Sequence, residues 1–386
     1  MFLAAAPYFQ YRFEASPWID SNFQSSIIVT STLFSMTSIL ILTRAQRHAS
    51  YPRRISLALM VNLVANIFLT ISAVTFKSSV SGYFAFLLIM VATSAIATSL
   101  IQNGLFSLVS GYGREEYVQG IMAGQGIAGV APCIVQIVSV LSVPQQDADQ
   151  GETGDPASSA FSFFLTAIVV SIVCMLAFGY LMQRHKQRYS GKAIDEDDTE
   201  ADDEARPIRQ NVSLLVLFWK LKYFAISLFL CFGLTMVFPV FAQEIYSVVP
   251  TDKAPRLLQK ATFIPLALLL WNAGDVFGKC IALLPALRLT ETPGRALAIA
   301  IARFLFVPMF FLCNIKGQGA LIQSDWFYLV IVQFLFGLTN GWLGSACMMA
   351  APHWVDDHEK EAAGGFMGLV LVSGLTAGGF LSFLIT

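Results

Sequence analysis

Along this chain, long stretches without a single charged residue alternate with short polar ones. Uncharged runs lie between Asp20 and Arg44, Arg54 and Lys77, Lys77 and Arg114, Glu116 and Asp147, Asp155 and Arg184, and Lys222 and Glu244, then from Trp326 to Val355 and from Ala362 to Thr386. A helix needs about 20 apolar residues to cross the hydrocarbon core of a bilayer, so each run is long enough to span. Two further apolar stretches carry charges inside them: residues 261–284 hold Asp275 and Lys279, and residues 296–315 hold Arg303. The pattern predicts an all-α integral membrane protein with spans at about 23–42, 55–76, 83–109, 117–143, 160–182, 223–243, 261–284, 296–315, 326–350 and 362–384.

Composition agrees with that reading. The 386 residues are 56% hydrophobic and 13% charged, with a mean hydropathy of +0.65, which leaves too little polar surface for a water-soluble fold. Basic residues are distributed unevenly among the loops. One alternating set of loops carries sixteen Lys and Arg, the other six (Arg12, Lys77, Lys253, Arg256, Lys260 and Lys316), so the first set is expected to be cytoplasmic and both ends of this chain to lie on the opposite side.

The one long polar stretch, residues 183–213, contains IDEDDTEADDE, with eight acidic residues among the ten from Asp195 to Glu204. Such a segment cannot bury a core and reads as a disordered cytoplasmic linker. It divides an N-terminal bundle, residues 1–182, from a C-terminal bundle, residues 214–386. The opening MFLAAAPYFQYRF has no basic residues ahead of its apolar ones and does not read as a secretory signal.

Candidate chemistry is sparse. The six cysteines fall in or beside spans without a C-x-x-C pair and read as small apolar core residues, and the four histidines lack the one-turn spacing of a helical zinc pair. No metal site is indicated, and no cofactor. The stretch MAGQGIAGV contains a complete G-x-G-x-x-G, but it lies inside an uncharged run and the first acid beyond it, Asp147, is already in a loop. A dinucleotide cradle would follow a strand and open a soluble helix. Gly124, Gly126 and Gly129 read instead as a smooth strip, with Ala128 one turn after Gly124, on which a neighbouring helix can pack backbone to backbone.

Ionisable groups inside a bilayer need a partner or a water-filled path. Asp275 and Lys279 are one helical turn apart with the acid first, the favourable order for a pair, and Asp275 lies about 21 Å along its span. Arg303, on a helix entering from the other side, lies about 12 Å in, a compatible depth. The three form either a polar patch on a substrate pathway or a cluster that locks helices together. Gln102, Asn103, Asn272 and Asn340 add uncharged amides that can read donors and acceptors of a small polar solute. Pro239 and Pro308 lie within spans, where proline removes helix hydrogen bonds and permits kinks.

The order of segments IQNGLFSL, IMAGQGIAG, LTMVFPVF, FIPLALLLWNAGDVFGK, ARFLFVPMFFLCNIK, TNGWLGSACM and EAAGGFMGLVLVSGL resembles the equilibrative nucleoside transporters over nearly the whole chain. The densest motifs are D-x-x-G-[RK], at Asp275 and Lys279, and R-x-x-x-x-P-x-x-x-x-C-N, beginning at Arg303. The resemblance implies a major-facilitator-like bundle that carries nucleosides, with nucleobases as a further substrate class, by alternating access in the plasma membrane or a vacuolar or lysosomal membrane. It implies that Asp275 and Lys279 contact ribose and that Gln102 recognises the base. The family's usual base is arginine, so Lys279 replaces a planar fork with a point charge. Family members have eleven spans divided 6+5, against ten here divided 5+5, and the resemblance implies that this chain opens where the first span is ending, with MFLAAAPYF a short stub.

Other functions fit less well. An intramembrane aspartyl protease needs two converging carboxylates, and the spans hold one acid. A receptor commonly has seven spans, and a channel a repeated pore ring. Proton-coupled transport of nucleosides or nucleobases and a non-transporting receptor remain the alternatives. The expected partners are a nucleoside and the lipid bilayer, with no nucleic acid.

Overall fold

The computed structural model describes residues 6–46, 50–75, 79–142, 156–192, 212–250 and 254–385. The α-helices are α1 (Ala6–Phe13), α2 (Pro17–Arg44), α3 (Tyr51–Thr75), α4 (Val80–Gly111), α5 (Glu115–Ser142), α6 (Pro156–Lys192), α7 (Leu214–Glu244), α8 (Lys260–Ile281), α9 (Pro293–Ala302), α10 (Phe306–Phe310), α11 (Leu335–Ala350) and α12 (Lys360–Ile385). Among the described residues ten helical segments are long and apolar enough to cross a membrane, α9 and α10 together counting as one. Helices suit a bilayer because they satisfy every backbone group within the segment. Their outward faces are apolar, as at Leu33, Val135, Val173, Leu176 and Leu305, all more than half exposed.

The observed helices differ from the expected spans where charge or proline intervenes. α6 runs on to Lys192 rather than stopping near residue 182, and α7 begins at Leu214, so Lys220 and Lys222 are helical. Lys, Arg and Gln are good helix formers, so the end of an apolar run marks the membrane edge and not the helix end. Residues 193–211, which carry the acidic run, lie outside the described residues. The span expected at 296–315 is broken: a 3₁₀ turn at Arg303–Leu305 separates α9 from α10, which ends at Phe310. Pro308 has no N–H to offer the carbonyl four residues back, at Phe304, and its ring crowds that carbonyl. A π-helical segment, Phe327–Phe334, leads into α11.

By contact the chain groups into two compact units, Met1–Leu105 with Thr153–Asn211, and Phe106–Glu152 with Val212–Thr386. α5 therefore packs with the C-terminal helices, although it precedes the linker.

In the first unit, α1 is a separate eight-residue helix whose Tyr8, Phe9 and Phe13 are buried with Phe23, Tyr83 and Phe164. Tyr83 donates to Tyr8 Oη at 3.3 Å. On α3, Arg54 closes the C-terminus of α2, donating to the Leu42 carbonyl at 3.3 Å and the Ala45 carbonyl at 2.5 Å, and it also donates to Asn103 Oδ1 at 2.8 Å. Asn103 in turn donates to Thr43 Oγ1 at 3.3 Å. This amide ties α2, α3 and α4 together.

In the second unit, α8 packs against α5 and α11, while α7 packs against α12. A cluster of Phe241, Phe263, Phe310, Tyr328, Val332 and Phe336 fills one end. There Asp325 accepts from Ser247 Oγ at 2.6 Å and from the Val248 N–H at 2.9 Å, and Asn314 donates to the Ser247 carbonyl at 3.0 Å.

Candidate functional site

The crossing of α8 and α11 is built from glycine on both sides. A Cβ on Gly274 would collide with the Phe334 carbonyl, and one on Gly278 with the Leu338 carbonyl; from the other helix, Gly337 meets the Trp271 carbonyl and Gly341 the Asp275 carbonyl. Each pair is four residues apart, so G-x-x-x-G on α8 interlocks with G-x-x-x-G on α11. Asp275 follows Gly274 and Asn340 precedes Gly341, so the contact that joins the backbones also joins these side chains.

Asp275, Lys279, Arg303 and Asn340 are all 5% exposed or less. Lys279 Nζ lies 2.6 Å from Asp275 Oδ2. Asn340 Nδ2 donates to Asp275 Oδ1 at 2.8 Å. The oxygen of the same amide accepts from Arg303 Nη2 at 3.1 Å and from Thr235 Oγ1 at 2.7 Å. Arg303 makes further bonds, through Nε to Thr339 Oγ1 at 3.2 Å and through Nη1 to the Cys231 carbonyl at 3.1 Å and Cys231 Sγ at 2.7 Å. Its guanidinium also lies 4.8 Å from the centre of the Phe336 ring. Two buried cations thus share one buried carboxylate. Neutral acceptors and an aromatic face solvate the second cation.

On the α5 side, Gln119 donates to the Lys279 carbonyl. A Cβ on Gly126 would come within 2.8 Å of Val276 Cγ2, and one on Gly129 would collide with the Asn272 amide oxygen. Gly124 is exposed with open space beside it, and Ala128 is exposed too. The expected strip is therefore corrected: at about 100° per residue Gly126 and Gly129 share a face, while Gly124 and Ala128 lie on another. Asn272 donates to the Leu268 carbonyl at 2.8 Å and faces Gly129 and Cys133 of α5.

The structure thus brings Asp275, Lys279, Arg303 and Asn340 into one cluster, with Asn272 a turn away. Gln102 is half-buried on α4 and belongs to the first unit. Sequence reasoning missed Cys231, Thr235 and Thr339, small polar residues whose spacing gives no signal. Reading Cys231 as merely apolar is corrected by its contacts with Arg303. The interlocking glycines did have a signal, in NAGDVFGK and FGLTNGWLG, that was not read.

Ionic contacts gather elsewhere in the second unit. Glu115 at the start of α5 lies 2.9 Å from His353 Nε2 and 3.5 Å from Arg288. Lys220 lies 2.9 Å from Asp356 and 2.6 Å from Glu359. Its ammonium, hydrogen-bonded to Asp356, holds that carboxyl below the usual carboxylate range. Asp356, His358 and Glu359 stand close enough to share a cation, and the Lys220 ammonium already occupies the two carboxylates.

A helical bundle with buried charge inside broken and glycine-packed spans is the build of a multi-pass membrane transporter. Solved structures agree on the fold: the chain matches a fucose:proton symporter of E. coli, FucP, with a TM-score of 0.53 at 10% identity, covering 99% of this chain and 92% of that one. A second structure, of the Major Facilitator Superfamily transporter FucP in the outward conformation, matches with a TM-score of 0.55 at 12% identity over 98% and 85% of the two chains. The chain belongs to the nucleoside transporter family, whose model matches residues 88–386. It is 30% identical to Nucleoside transporter FUN26 of Saccharomyces cerevisiae, over 99% of this chain and 80% of the relative. It is 27% identical to Equilibrative nucleotide transporter 1 of Arabidopsis thaliana, over 99% and 81%, and 26% identical to Equilibrative nucleoside transporter 1 of Homo sapiens, over 96% and 84%.

Proposed function

We propose that the protein carries nucleosides, and nucleobases as a second class, down their gradients by alternating access, and does no covalent chemistry. The observation that carries this reading is the buried Asp275–Lys279 pair at 2.6 Å in the C-terminal half of a spanning helix. A ribose hydroxyl is both donor and acceptor. Inserted between the two side chains, it donates to the carboxylate and accepts from the ammonium, so the site exchanges one ion pair for a bridged one without a change of net charge. Asn272 supplies an amide for the base. The relatives' names, which specify nucleosides and in one case nucleotides, support the substrate class.

The moving halves in this proposal are residues 1–182 and 214–386, joined by the acidic linker. The packing of α5 on α8 at Gly126 and Gly129 is then a surface that parts as the site opens. The membrane is the plasma membrane or a vacuolar or lysosomal one. The test is uptake of labelled uridine and adenosine into proteoliposomes holding the full chain, with Asp275→Ala beside it. Uptake that Asp275→Ala leaves unimpaired removes Asp275 from the site.

A further inference from the structure

The two buried cations are not equivalent. Arg303 is held by all three of its nitrogens, on Thr339, Cys231, Asn340 and the Phe336 carbonyl at 3.5 Å. A planar guanidinium so engaged has neither a free donor nor freedom to turn. Lys279 is a point charge on a four-carbon stem, and among the described residues its ammonium binds Asp275 Oδ2.

Asn340 connects the two ends. Its oxygen faces the Arg303 and Thr235 donors and its nitrogen faces Asp275 Oδ1. Turning the amide over would set N–H against guanidinium and oxygen against carboxylate, so the neighbours fix its orientation. One carboxylate oxygen is therefore held by an amide that is itself held by a rigid cation, while the other oxygen is held by a flexible side chain.

We propose that Arg303 and Asn340 form a positioning arm for Asp275, anchoring Oδ1 so that Oδ2 and the Lys279 ammonium are the pair that opens to substrate hydroxyls. The arm rests on the reading that Asp275 contacts ribose. When the ammonium swings to the substrate, the Asn340 bond keeps the carboxylate aimed and Arg303, through that amide, keeps it beside positive charge. Neither Arg303 nor Asn340 touches substrate. Their effect reaches it through Asp275 and is confined to substrates whose hydroxyls use that carboxylate.

The purified full chain in proteoliposomes tests this with two substrates, uridine and 2′,3′-dideoxyuridine, the second lacking the ribose hydroxyls that Asp275 would accept. In the wild type, uridine should have the lower KM; equal values would overturn the ribose reading and the arm with it. In Asn340→Ser, which removes the bridge, the KM for uridine should rise about ten-fold while that for dideoxyuridine and both Vmax values hold within about two-fold. Thr235→Val, nearly isosteric, loosens the amide without removing it and should raise the uridine KM by about three-fold alone, which keeps the proposal testable if the serine variant does not fold. If the wild type discriminates and the variants change both substrates alike, or neither, Arg303 and Asn340 only pack helices and the arm is wrong.

Discussion

Gly341 of α11 rests against the backbone of Asp275 on α8, so close that a Cβ would collide with the Asp275 carbonyl. The neighbouring Asn340 can reach the Asp275 carboxylate at 2.8 Å because the two backbones come this near. Replacing Gly341 with alanine forces the helices apart, and forced packing costs about 1–3 kcal/mol. Gly341→Ala should lower the melting temperature of the detergent-purified protein and weaken transport together. Gly124→Ala, at a helical glycine with open space beside it, should hold melting or raise it slightly, alanine being the better helix former.

Gly126 and Gly124 offer a contrast on one helix. A side chain at Gly126 would press into Val276 and the Lys279 side chain from its Cβ onward, whereas a Cβ at Gly124 meets nothing within 4 Å. Uridine uptake should fall more than about ten-fold for Gly126→Leu and less than about two-fold for Gly124→Leu. Equal losses from both would mean that the exposed face of α5 is also a packing surface.

Lys279→Met keeps the length and apolar body of the side chain and removes the ammonium. It leaves a buried carboxylate without its direct cation, so affinity for ribonucleosides should fall by about ten-fold or more. Lys279→Arg restores a cation with a planar fork, and should transport with a uridine KM nearer the wild type than that of Lys279→Met. The comparison is read from concentration series of uptake at one expression level.

Asp356 tests the pH dependence of the link between α7 and the segment before α12. Its carboxyl is held below the ordinary range by the hydrogen bond from Lys220, so the charged form is favoured in the folded state. The stability this lends is present above the ordinary carboxylate value of about 4 and is lost as pH falls through the lowered folded value. Asp356→Asn should therefore melt below the wild type at neutral pH, and the two curves should converge in strong acid. A gap that persists in acid would point to the helix cap at Asp356 as its source and not to the charge.

Much of the architecture was legible because a bilayer allows few solutions. Eight uncharged runs and two apolar stretches located ten spans, and the positions of Asp275, Lys279 and Arg303 within the latter two flagged buried charge. The pattern could not say which faces meet. Gly124 and Gly126 look alike in sequence, and their difference comes from the angle between them on the helix and the placing of α8. Thr235 and Cys231 become part of the site because α7 passes behind Arg303, a tertiary fact with no local signal. The broken eighth span was legible at Pro308, yet its consequence was not. The 3₁₀ turn that places Arg303 begins five residues before that proline.

Asn340 and Gly341 are adjacent, and Asn-Gly is the dipeptide in which a side-chain amide most readily hydrolyses, because the unhindered glycine nitrogen can attack it. In α11 that nitrogen is fixed in the helix and the amide is clamped on both faces by Arg303, Thr235 and Asp275. The folded bundle therefore protects its own chemistry. In an unfolded chain the same attack would expel ammonia and close a succinimide, which water opens to isoaspartate or aspartate. The first lengthens the backbone of α11 by one atom and both set a second acid beside Asp275, so the age of the unfolded chain would be written into the site.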